Sequence, residues 1–93
     1  MKIFIDWKEI GSEEDFYNSL LPQLGAPEWH GHNLDALADS LVAGDVNGIE
    51  PPFCIINLNV SAMAGSLKDF SGKVAQIYVE ANGQGRKIRV FEE

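Results

Sequence analysis

Residues Pro27 to Leu41 read P-E-W-H-G-H-N-L-D-A-L-A-D-S-L. Leu34, Leu37, Ala38 and Leu41 fall at i, i+3, i+4, i+7, which is one face of a helix. Asn33 stands just ahead of that stripe, where its side-chain oxygen can take an orphan N–H of the first turn. Pro27 and Gly31 keep the preceding segment out of the helix, so the spacing predicts a helix that starts near Leu34. Asp35 and Asp39 are then one helical repeat apart, roughly 6 Å along the axis, on a face turned away from the leucines. Asp35 gains from the helix N-terminus, whereas a like-charge pair at i, i+4 costs about 0.2 to 0.5 kcal/mol. Helix stability therefore asks for one of the two acids and not for both. Two ordinary acids on a solvated face are the plain reading of the pair, and an acidic contact surface is the functional one.

Composition limits what surrounds this stretch. The chain has 93 residues, 45% of them hydrophobic and 23% charged, the balance of one ordinary globular domain over 1–93. A chain of this size buries little more than about 60% of its unfolded surface, which leaves small room for a deep closed pocket beside a core. The formal charge of −7 repels nucleic acid and anionic membrane and attracts a basic partner. One cysteine, Cys54, forms no internal disulfide and lies in an apolar run where a small buried hydrophobe is expected. Met1 and Lys2 lead straight into I-F-I, with no signal h-region and no run of 18 apolar residues, so a cytoplasmic protein is expected.

Outward from the motif, Lys2 to Trp7 (K-I-F-I-D-W) suits a strand. Ser12 followed by Glu13, Glu14 and Asp15 opens a helix whose apolar face holds Phe16, Tyr17, Leu20, Leu21 and Leu24. Pro22 should loosen its last turn, and Gly25 should stop it. After the motif, Gly44 is placed to cap its helix, and Ala43 to Pro52 is a Gly- and Pro-rich connection. Phe53 to Leu58 (F-C-I-I-N-L) reads as a central strand. Asn59 to Gly72 suggests no more than a short helical turn, with Ser66 or Ser71 as a cap. A helix from Lys73 carries Val74, Ile77, Tyr78 and Ala81 on one face and ends by Gly83 to Gly85, and Lys87 to Phe91 (K-I-R-V-F) closes the chain as a strand. Each pair of successive strands is thus joined by a helical crossover, which predicts an α/β fold with a parallel sheet.

The string from Pro27 to Leu41, with the strands and helices around it, resembles the barstar family of intracellular protein inhibitors of secreted guanyl-specific ribonucleases. The resemblance runs over most of the chain and is weakest from Asn59 to Gly72. It implies a two-layer α/β fold, a three-stranded parallel sheet in order 1-2-3 with helices packed on it. Two right-handed crossovers moving the same way put those helices on one face. It further implies that the loop and helix of the motif plug a nuclease active site, with acids standing where substrate phosphates would lie. On that basis Trp29 matches an aromatic contact, Gly31 and Asn33 the docking loop, and Asp35 and Asp39 the acids that face basic catalytic groups. Ile77 and Glu80 match an apolar and an acidic contact on the last long helix. Ala38 departs from the pattern, since familiar members carry a bulky aromatic there. Gln84 replaces an acid, and the Ala43 to Pro52 loop is longer and lacks an aromatic. The two lost aromatics point to a different partner or to weaker binding, because aromatics dominate interface hot spots.

The expected partner is a basic ribonuclease bound 1:1, or a toxin nuclease of a rival cell if the chain is an immunity protein. The free chain is expected to be a monomer that needs no cofactor. Trp29 either meets that partner or tucks over the core. His30 and His32 are expected to be solvent-facing imidazoles and not metal ligands, because H-x-H without further ligands has low specificity. A small enzyme using Asp35 and Asp39 as acid and base is the rival of another class; it requires a sheltered cleft to separate their pKa values.

Overall fold

The computed structural model describes residues 1–93. Three strands, β1 (Lys2–Asp6), β2 (Phe53–Leu58) and β3 (Ile88–Glu92), form one parallel sheet in the order β1-β2-β3. Helix α1 (Glu13–Gln23) and the short α2 (Leu34–Ala38) lie in the first crossover, and α3 (Lys68–Gly83) in the second. The expected α/β fold, strand order and parallel pairing are all present. No helix is long and apolar enough to cross a membrane.

Alternation along the strands assigns the faces. Ile3 and Ile5 of β1, Phe53 and Ile55 of β2 and Ile88 of β3 are buried beneath the helices. They meet Phe16, Tyr17, Leu20 and Leu21 from α1, Leu37 from α2, and Phe70, Val74, Ile77, Tyr78 and Ala81 from α3 in a single core. Burying each large aliphatic side chain contributes about 1.5–3 kcal/mol. Trp7 extends the core beyond β1: its ring stacks on Phe16 at 5.5 Å, and its indole N–H donates to Asn57 Oδ1 at 2.9 Å. Asn57 is thereby the polar residue of the central strand that satisfies the buried indole.

Helix α1 starts as its sequence suggests, with the Ser12 hydroxyl accepting from the Asp15 amide. It continues through Pro22 to Gln23 and is stopped by Gly25 at φ 64°. Gln23 then acts at long range. It accepts from the Phe4 amide at 3.0 Å and donates to the Phe4 carbonyl at 2.8 Å, closing the outer edge of β1. Asn82 does the same for β3, donating to the Ile88 carbonyl and accepting from its amide, both at 2.7 Å. Unpaired sheet edges are templates for further strands, and here each is interrupted by a carboxamide.

Two expectations are corrected. Helix α3 begins at Lys68 and not at Lys73, with neither Ser66 nor Ser71 as its cap; Leu67 holds the cap position and makes no side-chain bond. Two 3-10 turns, Val60–Ala62 and Gly65–Leu67, precede it. Cys54, expected to be buried, is only half-buried, because position 54 alternates onto the sheet face that bears no helix. Rapid labelling of its thiol in dilute native protein is the outcome this placement predicts.

The junction after the motif rests on Gly44, at φ 83° and ψ −170°, a backbone region that is essentially glycine-only. A Cβ there would also lie 2.5 Å from Arg86 Nη1. Arg86 Nη2 donates to Glu50 Oε1 at 2.7 Å, and the Asp45 amide donates to the same oxygen at 3.0 Å. Burial opposes the charge on Glu50, but the Arg86 and Asp45 hydrogen bonds and the guanidinium charge outweigh it and hold the carboxyl below its ordinary range. Gly44→Ala is therefore expected to lower the stability in urea by about 1–3 kcal/mol with an unchanged m-value. Glu50 has a depressed folded-state pKa, so its stabilisation is present above its ordinary value of 4.5 and is lost as pH falls through the folded value. The stability gap between wild type and Glu50→Gln in urea should be small, about 1 kcal/mol or less for a part-exposed pair, and should close below that pH.

Candidate functional site

The motif is built as its sequence implies and then departs from an ideal helix. Asn33, extended at φ −155°, accepts from the Ala36 amide at 2.8 Å and starts α2 at Leu34. From Asp39 to Ala43 the helix widens into a π-turn, closed by the Gly44 amide donating to the Asp39 carbonyl at 3.3 Å. Such turns are rare and recur at functional sites. The widened turn carries buried Ser40 and Leu41 on its inner side while Asp39 stays exposed. Helix α3 packs directly against it.

The loop before α2 is held by a histidine. His30 is buried and not solvent-facing as its sequence suggested: 5% of it is exposed. Its Nδ1 lies 2.8 Å from the Gly31 carbonyl and its Nε2 lies 2.9 Å from Ser40 Oγ. The carbonyl can only accept, so Nδ1 carries the proton; Nε2 meets the Ser40 hydroxyl, which also lies 3.2 Å from the Leu37 carbonyl. This bond ties the loop to the π-turn ten residues later. His32 is the more exposed of the two. It stacks on the Tyr17 ring at 5.7 Å, and its Nδ1 meets Glu14 Oε2 at 2.8 Å, which fixes the far side of the loop to α1. Burial, with the Glu13 charge adding to it, pushes the Tyr17 hydroxyl up to about 12. The loop backbone between the two histidines is close-packed, since a Cβ on Gly31 would lie 2.8 Å from Asn33 Nδ2 and 3.1 Å from the Ala36 methyl.

On this frame Trp29 stands 77% exposed, which excludes the reading in which it tucks over the core. Asp35 and Asp39 are both exposed, and neither takes part in the two ion pairs of the chain, His32 with Glu14 and Arg86 with Glu50. Ala38 is half-buried against the core. Glu80 is exposed on α3. Ile77, expected as an apolar contact, is 7% exposed and packs in the core on the same stripe as Val74, Tyr78 and Ala81. The exposed apolar residue of α3 is Val79, at 71%. Its signal in the sequence was an aliphatic out of phase with that stripe.

None of the four surface depressions of the molecule is lined by Asp35 or Asp39. No group of three or more His, Cys, Asp or Glu side chains is arranged to hold a metal ion. The fold and the site together define a two-layer α/β domain whose motif offers an exposed indole and two unpaired carboxylates on a rigidly tethered loop and helix. The family described as Barstar (barnase inhibitor) matches residues 1–93, and the chain belongs to the barstar family. Members of this family are inhibitor proteins and not enzymes.

Ser40→Ala tests the tether. It leaves a buried imidazole nitrogen without its partner, for an expected loss of about 1–3 kcal/mol. Amide exchange should accelerate first in the segment from Trp29 to Asn33, before any change in the sheet.

Proposed function

We propose that this protein inhibits a basic ribonuclease by seating the segment from Trp29 to Asp39 in the enzyme's active site. The observation that carries the reading is the pairing of exposed Asp35 and Asp39, both without an internal partner, with membership of an inhibitor family. Catalytic sites of ribonucleases bind a polyanion, so their basic groups are complementary to carboxylates presented on a rigid surface. Asp35 and Asp39 stand in for substrate phosphates, Trp29 supplies the aromatic anchor, and Gly31 and Asn33 let the loop approach closely. Glu80 adds an acid from α3. The chain's charge of −7 speeds encounter with a basic enzyme, while the desolvated contacts around Asp39 set the lifetime of the 1:1 complex.

Ala38 and the loop from Ala43 to Pro52 bear on which nuclease is bound. Familiar family members place aromatics at both positions, and here one is a methyl and the other is a loop fixed by Arg86 and Glu50. The partner therefore differs in shape where those aromatics would sit. An immunity protein acting on a toxin nuclease uses the same surface and the same physics, and differs only in whose enzyme it meets. An enzyme using the two carboxylates is not favoured, because both face open solvent and no cleft encloses them.

The test is inhibition of a basic guanyl-specific ribonuclease, or of the cognate toxin nuclease, with dissociation rate and melting temperature measured on the same variants. Asp39→Ala is expected to cost about 2 to 5 kcal/mol of binding, chiefly as faster dissociation, by leaving basic groups of the enzyme buried and unpaired. Barstar complexes are among those from which that range comes, so it is carried over from the family. The melting temperature should hold or rise slightly, because the change relieves repulsion with Asp35. Equal effects from Asp39→Ala and from Glu13→Ala, an acid at the start of α1, would reduce the acids to a diffuse field and refute the plug. Ala38→Trp should tighten binding to nucleases that familiar barstars inhibit, and unchanged or weaker affinity there would show that position 38 is not part of the interface.

A further inference from the structure

The helices cover one face of the sheet and leave the other open. On that open face the registered strands build three rows. At the start of the strands Lys2, Cys54 and Arg89 lie side by side. Lys87, two residues before Arg89, alternates onto the same face and borders the same shallow depression as Cys54 and Arg89. The middle row is Phe4, Ile56 and Phe91, with the two phenylalanines 46% and 47% exposed and Ile56 covered between them. At the far end Asp6 pairs with Leu58. Glu93 completes that row, its amide and carbonyl bonding Asn57 and Asn59 on either side of Leu58. The Asp6 carboxylate is fixed in place, accepting from Asn59 Nδ2 at 2.8 Å and from the Lys8 amide at 3.1 Å.

The face thus has a basic end, an apolar centre and an acidic end, although the chain as a whole is strongly acidic. A surface that is antisymmetric in charge about an apolar midline is complementary to itself. We propose that this sheet face docks a second copy of the chain, face to face, about a two-fold axis running across the strands along the Phe4–Ile56–Phe91 row. Rotation about that axis lays Lys2 over Asp6 of the other copy and Arg89 over its Glu93, with phenylalanine meeting phenylalanine in the centre. A two-fold along the strands would instead set Lys2 against Arg89 and Asp6 against Glu93, like charge on like. Edge-to-edge pairing is obstructed by Gln23 on β1 and Asn82 on β3, so the open face is the route left to the sheet.

The size of the face sets the strength. Three strands about 4.8 Å apart and five residues of about 3.3 Å each span roughly 14 by 17 Å, well short of the about 800 Å² per partner typical of stable complexes. The dimer is accordingly reversible, forms at high protein concentration and weakens with salt. The monomer expected from the sequence is its dilute form. The motif lies in the helical layer on the opposite side, so self-association leaves Trp29, Asp35 and Asp39 free. The dimer does not depend on the nuclease reading.

Sedimentation equilibrium from micromolar to millimolar protein tests this. The mass of the wild type should rise from 10.2 kDa toward twice that value, and Cys54, which comes to lie over the other copy's Leu58, should be labelled several-fold more slowly at the high end. Phe91→Ser should weaken association at least tenfold. The charge swap is the decisive arm: Lys2→Glu with Arg89→Glu makes both ends acidic, and Asp6→Lys with Glu93→Lys makes both ends basic. Each double variant should stay monomeric alone, and the two should pair when mixed. A wild type that remains at 10.2 kDa at millimolar concentration overturns the proposal and leaves the face to a different partner. Association that persists in both double variants, or that is lost with Asp39→Ala, places the contact elsewhere and overturns it too. Should a double variant fail to fold, the Phe91→Ser and Cys54 measurements decide the matter.

Discussion

The handedness of the crossovers is the constraint on which this molecule depends. Parallel strands in the order β1-β2-β3 need two connections that move the same way across the sheet, and right-handed connections then place every helix on one side. A sheet of three strands is too narrow to bury two faces in a chain of this length. The helical side therefore receives the core, and the motif lies among the helices and the loops between them. The motif sits in the first crossover, where α2 and its π-turn pack against α3.

Within that crossover the exposed residues of the motif are held in place by side chains behind them. Buried His30 joins the Gly31 carbonyl to the Ser40 hydroxyl, and His32 joins the loop to Tyr17 and Glu14. Under the proposed inhibition, a loop so tethered has little conformational freedom to lose on binding, which favours affinity without adding a contact. Its exposed groups, an indole and two carboxylates, are the ones that would be poorly placed on a flexible loop. What holds the loop here is one buried and one surface side-chain bond and not the helix itself, since α2 spans only Leu34–Ala38.

Much of this was legible in the sequence, and the parts that were not share a cause. The strands, the Asn33 cap, the Ser12 cap and the Gly44 stop depend on neighbours within a few residues, and each is where local pattern puts it. The start of α3 was read too late because Ser71 and Gly72 look like breakers and Leu67 supplies no capping side chain. The roles of His30, Gln23 and Asn82 do not show in local pattern because their partners come from other segments or from the folded turn, at Ser40, Phe4 and Ile88. Cys54 looked buried because F-C-I-I-N-L is uniformly apolar, and such a run does not show that one of its two faces lacks a covering layer. Ile77 followed from a likeness of position to contact residues elsewhere, but the phase of its helix turns it inward and brings Val79 out.

The two carboxamides on the sheet edges have a consequence for how the chain survives synthesis and stress. Gln23 reaches Phe4 from the last turn of α1, and Asn82 reaches Ile88 from the end of α3. Neither guard exists until its helix has docked. A nascent or partly melted chain whose strands have paired before its helices settle carries two bare rims, each able to recruit further strands without limit. Fraying of the last turn of α1 uncovers the first of them, so the guard on β1 lasts only as long as that helix end stays docked.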